Sequence, residues 1–159
     1  MIARLADGSP VGAWMLKARP DVWDIGTALE QGLSLNWWRL AHSYRADLVA
    51  DGHPCVMWIT RGDARTPSGI WGYGRVVGEP FLGTGDSTDP LWIDTVAQAQ
   101  VRPRIQVEIV TLSEPIRREE IAADPRLAGL EILRVPRIGN PASVSPQEWQ
   151  VLRSQLSTV

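Results

Sequence analysis

Cysteine, lysine, histidine and phenylalanine are nearly missing from this chain. Its 159 residues hold one Cys (Cys55), one Lys (Lys17), one Phe and two His. A lone cysteine excludes an internal disulfide framework and suits a reducing compartment. With two histidines, a zinc site would need acidic ligands at positions that no motif marks. The nearest motif is His53-Pro54-Cys55, but Val56, Met57 and Trp58 follow, so the second cysteine of the zinc-deaminase pattern is absent. No metal is expected, and Cys55 reads as a small buried hydrophobe in a strand. There is no apolar run of about 18 residues, the length a membrane helix needs. The first residues, "MIARLADGSPVG", lack the apolar stretch of a signal peptide. A cytoplasmic protein with no membrane contact is the expectation.

Catalytic patterns are missing too. No G-x-S-x-G elbow occurs. Gly72, Gly74 and Gly78 make G-x-G-x-x-x-G, one residue off the dinucleotide fingerprint, and Glu79-Pro80 follows instead of a helix. The residues therefore point to a binding module, not an enzyme, with no cofactor.

What is present is arginine and tryptophan. Fifteen arginines supply nearly all the basic charge, a bias that a GC-rich genome explains as readily as a function does. Eight tryptophans offer large flat faces suited to stacking on planar ligands. Net charge is −2, so contact with nucleic acid would require a local basic face. An apolar fraction of 44% is enough for one folded domain over residues 1–159, with its core over 11–157.

Periodicity predicts a first strand at Val11–Ala18 and a helix at Asp21–Gly32 stopped by the glycine. A connection carrying Trp37 and Trp38 follows without clear period, then a short helix in "RADLVADG" and a strand at Pro54–Thr60. A turn-rich segment leads into a second strand of a hairpin, "SGIWGYGRVVGEPF". After a loop with a short helix near Trp92, residues 102–112 alternate as a strand. "IRREEIAADPRLAGL" reads as one or two helical turns and "EILRVPR" as extended. The C-terminal helix is the clearest element: Ser145 and Glu148 form a capping box, Pro146 takes the first turn, and Trp149, Leu152 and Leu156 share one face.

The hairpin strand raises a question of its own. Strict alternation would put Ile70, Gly72, Gly74, Val76 and Gly78 on one face and Trp71, Tyr73, Arg75, Val77 and Glu79 on the other. A face of glycines weakens a strand, so a neighbouring element or a ligand is expected to come close to it. The pattern as a whole fits an α+β fold: a small mixed, mostly antiparallel β-barrel surrounded by short helices.

Several segments, in order, resemble the EVE domain, part of the PUA-like group that also holds the YTH domains. They are Trp14-Met15-Leu16 near the start, the Gly69–Val76 stretch "GIWGYGRV", and Glu148-Trp149 in the terminal helix. The likeness covers about nine-tenths of the chain. It implies a PUA-like barrel whose pocket holds one modified, flipped-out base of DNA or RNA, with 5-methylcytosine a candidate. Carried over position by position, it implies a base pocket of Lys17, Trp37, Trp38, Trp58, Thr60 and Trp71. Arg61, Arg65, Arg75, Arg102, Arg104, Arg134 and Arg137 fall at strand ends or loops and are candidates for phosphate contact. Two positions depart from the family pattern: "DGHPC" stands where "G-D" is usual, and Ala18-Arg19 where Ser or Asn often follows the lysine. The expected partners are modified DNA or RNA and a partner nuclease or other protein, the chain itself being a bacterial monomer or weak homodimer. Two other readings stay open: a nucleotide-metabolite or other small-molecule binder using the same pocket, and a protein-interaction module using exposed tryptophans.

Overall fold

Apolar side chains on both faces of the central strands require a sheet covered on both sides. The computed structural model, which describes residues 2–157, meets that requirement. Its elements are β1 (Ala13–Ala18), α1 (Ile25–Glu30), β2 (Trp37–Arg39), α2 (Tyr44–Leu48), β3 (Pro54–Ile59) and β4 (Gly69–Gly83). They continue with α3 (Thr95–Ala99), β5 (Arg102–Arg117), α4 (Arg118–Ala123), α5 (Glu131–Arg134), β6 (Ala142–Val144) and α6 (Pro146–Leu156). The six strands lie in the order β2-β5-β4-β3-β1-β6. Only β1 and β3 pair in parallel; the other pairs are antiparallel. Among the described residues no helix is long and apolar enough to cross a membrane.

Alternation sorts the core into two layers. Trp14 and Leu16 of β1 join Cys55, Met57 and Ile59 of β3 beneath Ile25 and Ala28 of α1. Ala13 and Met15 join Val56 and Trp58 on the opposite face, under Ile121, Ile132, Leu152 and Leu156 of the later helices. The C-terminal helix is built as its sequence predicts: Ser145 accepts from the Glu148 N–H, Glu148 accepts from the Ser145 N–H, and Pro146 stands in the first turn.

The α+β class holds, but the sheet is not a closed barrel. Its edges, β2 and β6, are three residues long and pair on one side only, with β5 and β1; among the described residues no ladder joins them across the remaining gap. Single polar bridges span that gap instead. The Asn140 side chain accepts from the Lys17 N–H at 2.6 Å and donates to the Lys17 carbonyl at 2.9 Å. The Ala41 N–H donates to the Asn140 carbonyl, which ties the end of β2 to the approach to β6.

Several element assignments change, among them β6, which the sequence did not show, and β5, which runs past 112 to Arg117. The helix predicted from Asp21 starts at Ile25, because the Asp24 carboxylate accepts from Thr27 N–H as an N-cap. Residues before it pair with the 91–94 segment, including a Trp23–Trp92 bridge. Trp37 and Trp38, read as loop, form β2 against β5. "EILR", read as extended, is a helical turn whose Val135 N–H returns to the Glu131 carbonyl.

The glycine face of β4 is met by backbone, not by a helix. A Cβ on Gly74 would lie 1.7 Å from the Glu108 carbonyl oxygen of β5, and one on Gly72 would lie 2.9 Å from that of Val110. An irregularity between Ile70 and Gly72 also breaks the strict alternation. Trp71 and Val76 therefore share one core layer, while Ile70 and Tyr73 pack in the other. Gly78 has another role: its φ of 73° marks a second irregularity, where its N–H donates to the Asp51 carboxylate at 2.7 Å.

Candidate nucleic-acid interface

Beside the end of β1, between β2 and the loop that follows β4, lies a cavity of about 570 Å³. Trp38 lies on the core side of β2, buried, and its indole N–H donates to the Lys17 carbonyl at 3.0 Å. Trp37, one residue earlier, points to the opposite face and remains half exposed. Its ring meets Phe81 edge-on at 5.7 Å, and the Arg104 guanidinium lies 5.9 Å from its centroid. Trp23 and Trp92 complete the aromatic lining. The Trp23 indole N–H is fixed by Asp89 at 2.8 Å, and Gly85 leaves room for Trp92, since a Cβ there would lie 2.3 Å from the indole.

The charge around this cavity is one-sided. Lys17, Arg19, Arg39, Arg102, Arg104 and Arg137 line it, against Asp86 and Asp89. A chain with a net charge of −2 thus carries a concentrated basic site. Burial, reinforced by Arg19 and Arg61, holds the Lys17 ammonium below the usual lysine range. That ammonium donates to the carbonyls of Ile138 and Pro136, so Lys17 anchors the segment before Asn140. Asp86 is held below the ordinary aspartate value by hydrogen bonds from Thr88.

Of the residues expected in the site, the structure brings together Lys17, Trp37, Trp38, Arg102, Arg104 and Arg137. Trp58 is not among them. It follows Met57 on β3, so alternation turns it into the other core layer, where it is 1% exposed. Thr60 and Trp71 also lie outside the cavity lining. The Thr60 N–H continues the β1–β3 pairing to Ala18, and the buried Trp71 indole donates to the Pro67 carbonyl at 2.9 Å. Arg65 reaches across Gly26 to Asp24 and Glu30, and Arg75 pairs with Glu108 on the neighbouring strand. Arg134 donates to the Gly129 carbonyl, and Arg61 is exposed in a left-handed turn with φ 52°. None of these four arginines lines the cavity.

Sequence reasoning missed Trp23, Trp92, Arg39 and Asn140. Trp23 was read as part of a helix, and Asn140 gave no signal beyond the Asn-Pro turn pair. Asn140→Ala is expected to cost about 1–3 kcal/mol, since it leaves the Lys17 N–H without that partner. Chemical denaturation measures the loss, and an unchanged midpoint would show that Asn140 does not hold the sheet edges.

The "HPC" segment is structural. Burial pushes the Cys55 thiol up to about 12, far from a thiolate nucleophile. His53 Nδ1 lies 3.1 Å from both the Trp14 indole nitrogen and the Ala50 backbone nitrogen, whose N–H groups donate to it.

The chain is thus a small α+β domain, with an open mixed sheet, helices on both faces and a basic, tryptophan-lined cavity. The chain belongs to the EVE domain family, whose model matches residues 12–155. The EVE domain is a PUA-like domain, a class consistent with binding of nucleic acid or modified bases. The fold is similar to that of a Leishmania major hypothetical protein, with 16% identity over 93% of this chain and 96% of that one and a TM-score of 0.62. A Pseudomonas putida protein gives 16% identity over 89% and 97%, with a TM-score of 0.63. Rpa0253 of Rhodopseudomonas palustris gives 18% identity over 89% and 90%, with a TM-score of 0.56. No curated protein matches the chain.

Proposed function

We propose that the cavity takes a modified, flipped-out base of DNA or RNA, with tryptophans against the base and arginines toward the strand. One observation carries this reading: four tryptophans and six basic residues line a single cavity of a chain whose net charge is −2. Planar bases gain about 1–3 kcal/mol from each aromatic platform, and arginines around such a slot favour phosphates over neutral ligands. A methylated base suits an apolar indole wall, and a cavity of this size can hold a base with its sugar.

The test is anisotropy of labelled single-stranded oligonucleotides carrying cytosine, 5-methylcytosine or 5-hydroxymethylcytosine, at two salt concentrations. A preference for one modified base is expected. Trp92→Ala should weaken it by roughly 5- to 100-fold, the worth of one stacking platform. Affinity should fall as salt rises, in proportion to the phosphates neutralised. Equal binding of all three strands at any salt would overturn the base reading. Binding of free nucleosides but of no strand would favour a nucleotide-metabolite ligand instead.

A further inference from the structure

The β2–β5 pairing sets Arg39 directly opposite Arg104, with Arg102 two residues earlier on the same face as Arg104. Like charges facing each other across a strand pair are destabilising unless something neutralises them. The same sheet handles another arginine conventionally: Arg75 stands opposite Glu108 and pairs with it at 3.0 Å. At Arg39, Arg102 and Arg104 no acid stands opposite; Asp94 acts on Arg39 and Asp86 on Arg104, both from beyond ion-pair distance. Among the described residues none of the three takes part in an ion pair.

Their hydrogen bonds go to neutral acceptors. Arg39 donates to the Ala97 carbonyl at 3.0 Å and to the Gln100 side chain at 3.3 Å. Arg102 shares that Gln100 oxygen at 3.4 Å, and Arg104 donates to the Thr84 carbonyl at 2.6 Å. These contacts orient guanidinium groups without cancelling their charge. Burial first, and then Arg102 and Arg104 nearby, hold Arg39 below the usual arginine value; Asp94 acts against this. All three arginines line the cavity, and Arg104 lies against Trp37 within it.

We infer that Arg39, Arg102 and Arg104 form an anion subsite for the phosphate of a nucleotide whose base lies among the tryptophans of the same cavity. The inference rests on the base-binding reading for its second half only. Guanidinium forks match phosphate oxygens two at a time, and a phosphate here would neutralise a like-charge cluster that the protein leaves open. A phosphate within a strand and that of a free mononucleotide share this chemistry.

Calorimetry at constant ionic strength tests it with 5-methylcytidine, its 5′-monophosphate, a dinucleotide with one internal phosphodiester, and inorganic phosphate. The monophosphate or the dinucleotide should bind at least about tenfold more tightly than the nucleoside. Arg102→Gln should reduce that advantage to roughly twofold, since the Arg102 side chain makes one hydrogen bond, to Gln100, and its substitution removes charge from the cluster with little else. Arg104→Gln should also reduce the advantage, and because its guanidinium lies against Trp37 its nucleoside affinity does not serve as the control; a thermal melt of each variant confirms that it is folded. Tight binding of the dinucleotide assigns the subsite to a strand; tight binding of the monophosphate alone assigns it to a free nucleotide. Either outcome upholds it. Inorganic phosphate binding lost in Arg102→Gln, with no nucleoside binding, upholds the subsite and overturns the base slot. Equal affinity with and without phosphate, or an undiminished advantage in both variants, overturns the subsite.

Discussion

Glu131→Ala is expected to lower stability by about 3–5 kcal/mol, seen as an earlier denaturation midpoint with an unchanged slope. The Glu131 side chain lies between three elements and is 9% exposed. It accepts both arms of the Arg45 guanidinium from α2, at 2.5 and 2.9 Å, and the Ser143 N–H of β6 at 2.8 Å. Truncation leaves Arg45 without its carboxylate, with only the Pro141 carbonyl and Tyr44 as neutral partners, and the Ser143 N–H without its acceptor. A buried cation without its partner costs far more than an exposed pair is worth. Burial pushes the Glu131 carboxyl up, but hydrogen bonds from Arg45 and Ser143 outweigh it and hold it below its ordinary 4.5. A carboxylate depressed in the folded state contributes its full stability above the unfolded value and loses it as pH falls through the folded one. The gap between wild type and Glu131→Gln should therefore be constant near neutrality and shrink below about pH 4.5. A gap that is the same at pH 3 as at pH 7 would show that the carboxylate charge contributes nothing.

How far the fold could be read in advance depended on whether each signal was local. The capping box of α6 lies within four consecutive residues, and the Gly32 stop needs only its own φ of 65°. Both were legible. Two features depended on partners far away in sequence. β2 exists because Trp38 pairs with Ile105, and three residues are too few to show a period. The two-sided burial of β3 turned Trp58 away from the cavity, although the residue type alone suggested a stacking wall. Within the site, Lys17, Trp37, Trp38, Arg102, Arg104 and Arg137 were legible because family likeness or their positions at strand ends marked them. Arg39 was not, because its meaning comes from standing opposite Arg104. The periodicity of Asp21–Gly32 puts Trp23 in a helix, whereas its pairing with Trp92 brings it to the cavity. Glu131 carries no signal in the sequence, because its role comes from Arg45 of α2 and Ser143 of β6, both distant along the chain.

Gly74→Ala is expected to be the most disruptive of the glycine substitutions in β4, costing about 3 kcal/mol or more. Its methyl group would lie 1.7 Å from the Glu108 carbonyl oxygen and 2.7 Å from the carbonyl carbon, both backbone atoms of the paired strand. A side chain could rotate away, but a backbone held in the ladder cannot. The β4–β5 pair would have to part locally, where Arg75 and Glu108 also meet across it. Gly129→Ala is the control, since a Cβ there meets nothing within 4 Å, and it should stay within about 0.5 kcal/mol of wild type. The pair of variants also separates two uses of the glycine-rich strand. Gly72 and Gly74 do not line the cavity, so Gly74→Ala should reduce binding only by the fraction of molecules it unfolds. Oligonucleotide affinity measured on the folded fraction, at a temperature well below the variant's melting point, should match wild type. Normal stability together with lost affinity would mean that the bare backbone of β4 meets a ligand after all. The geometry favours the other outcome: both glycines lie against β5 backbone, at the Glu108 and Val110 carbonyls, outside the cavity lining.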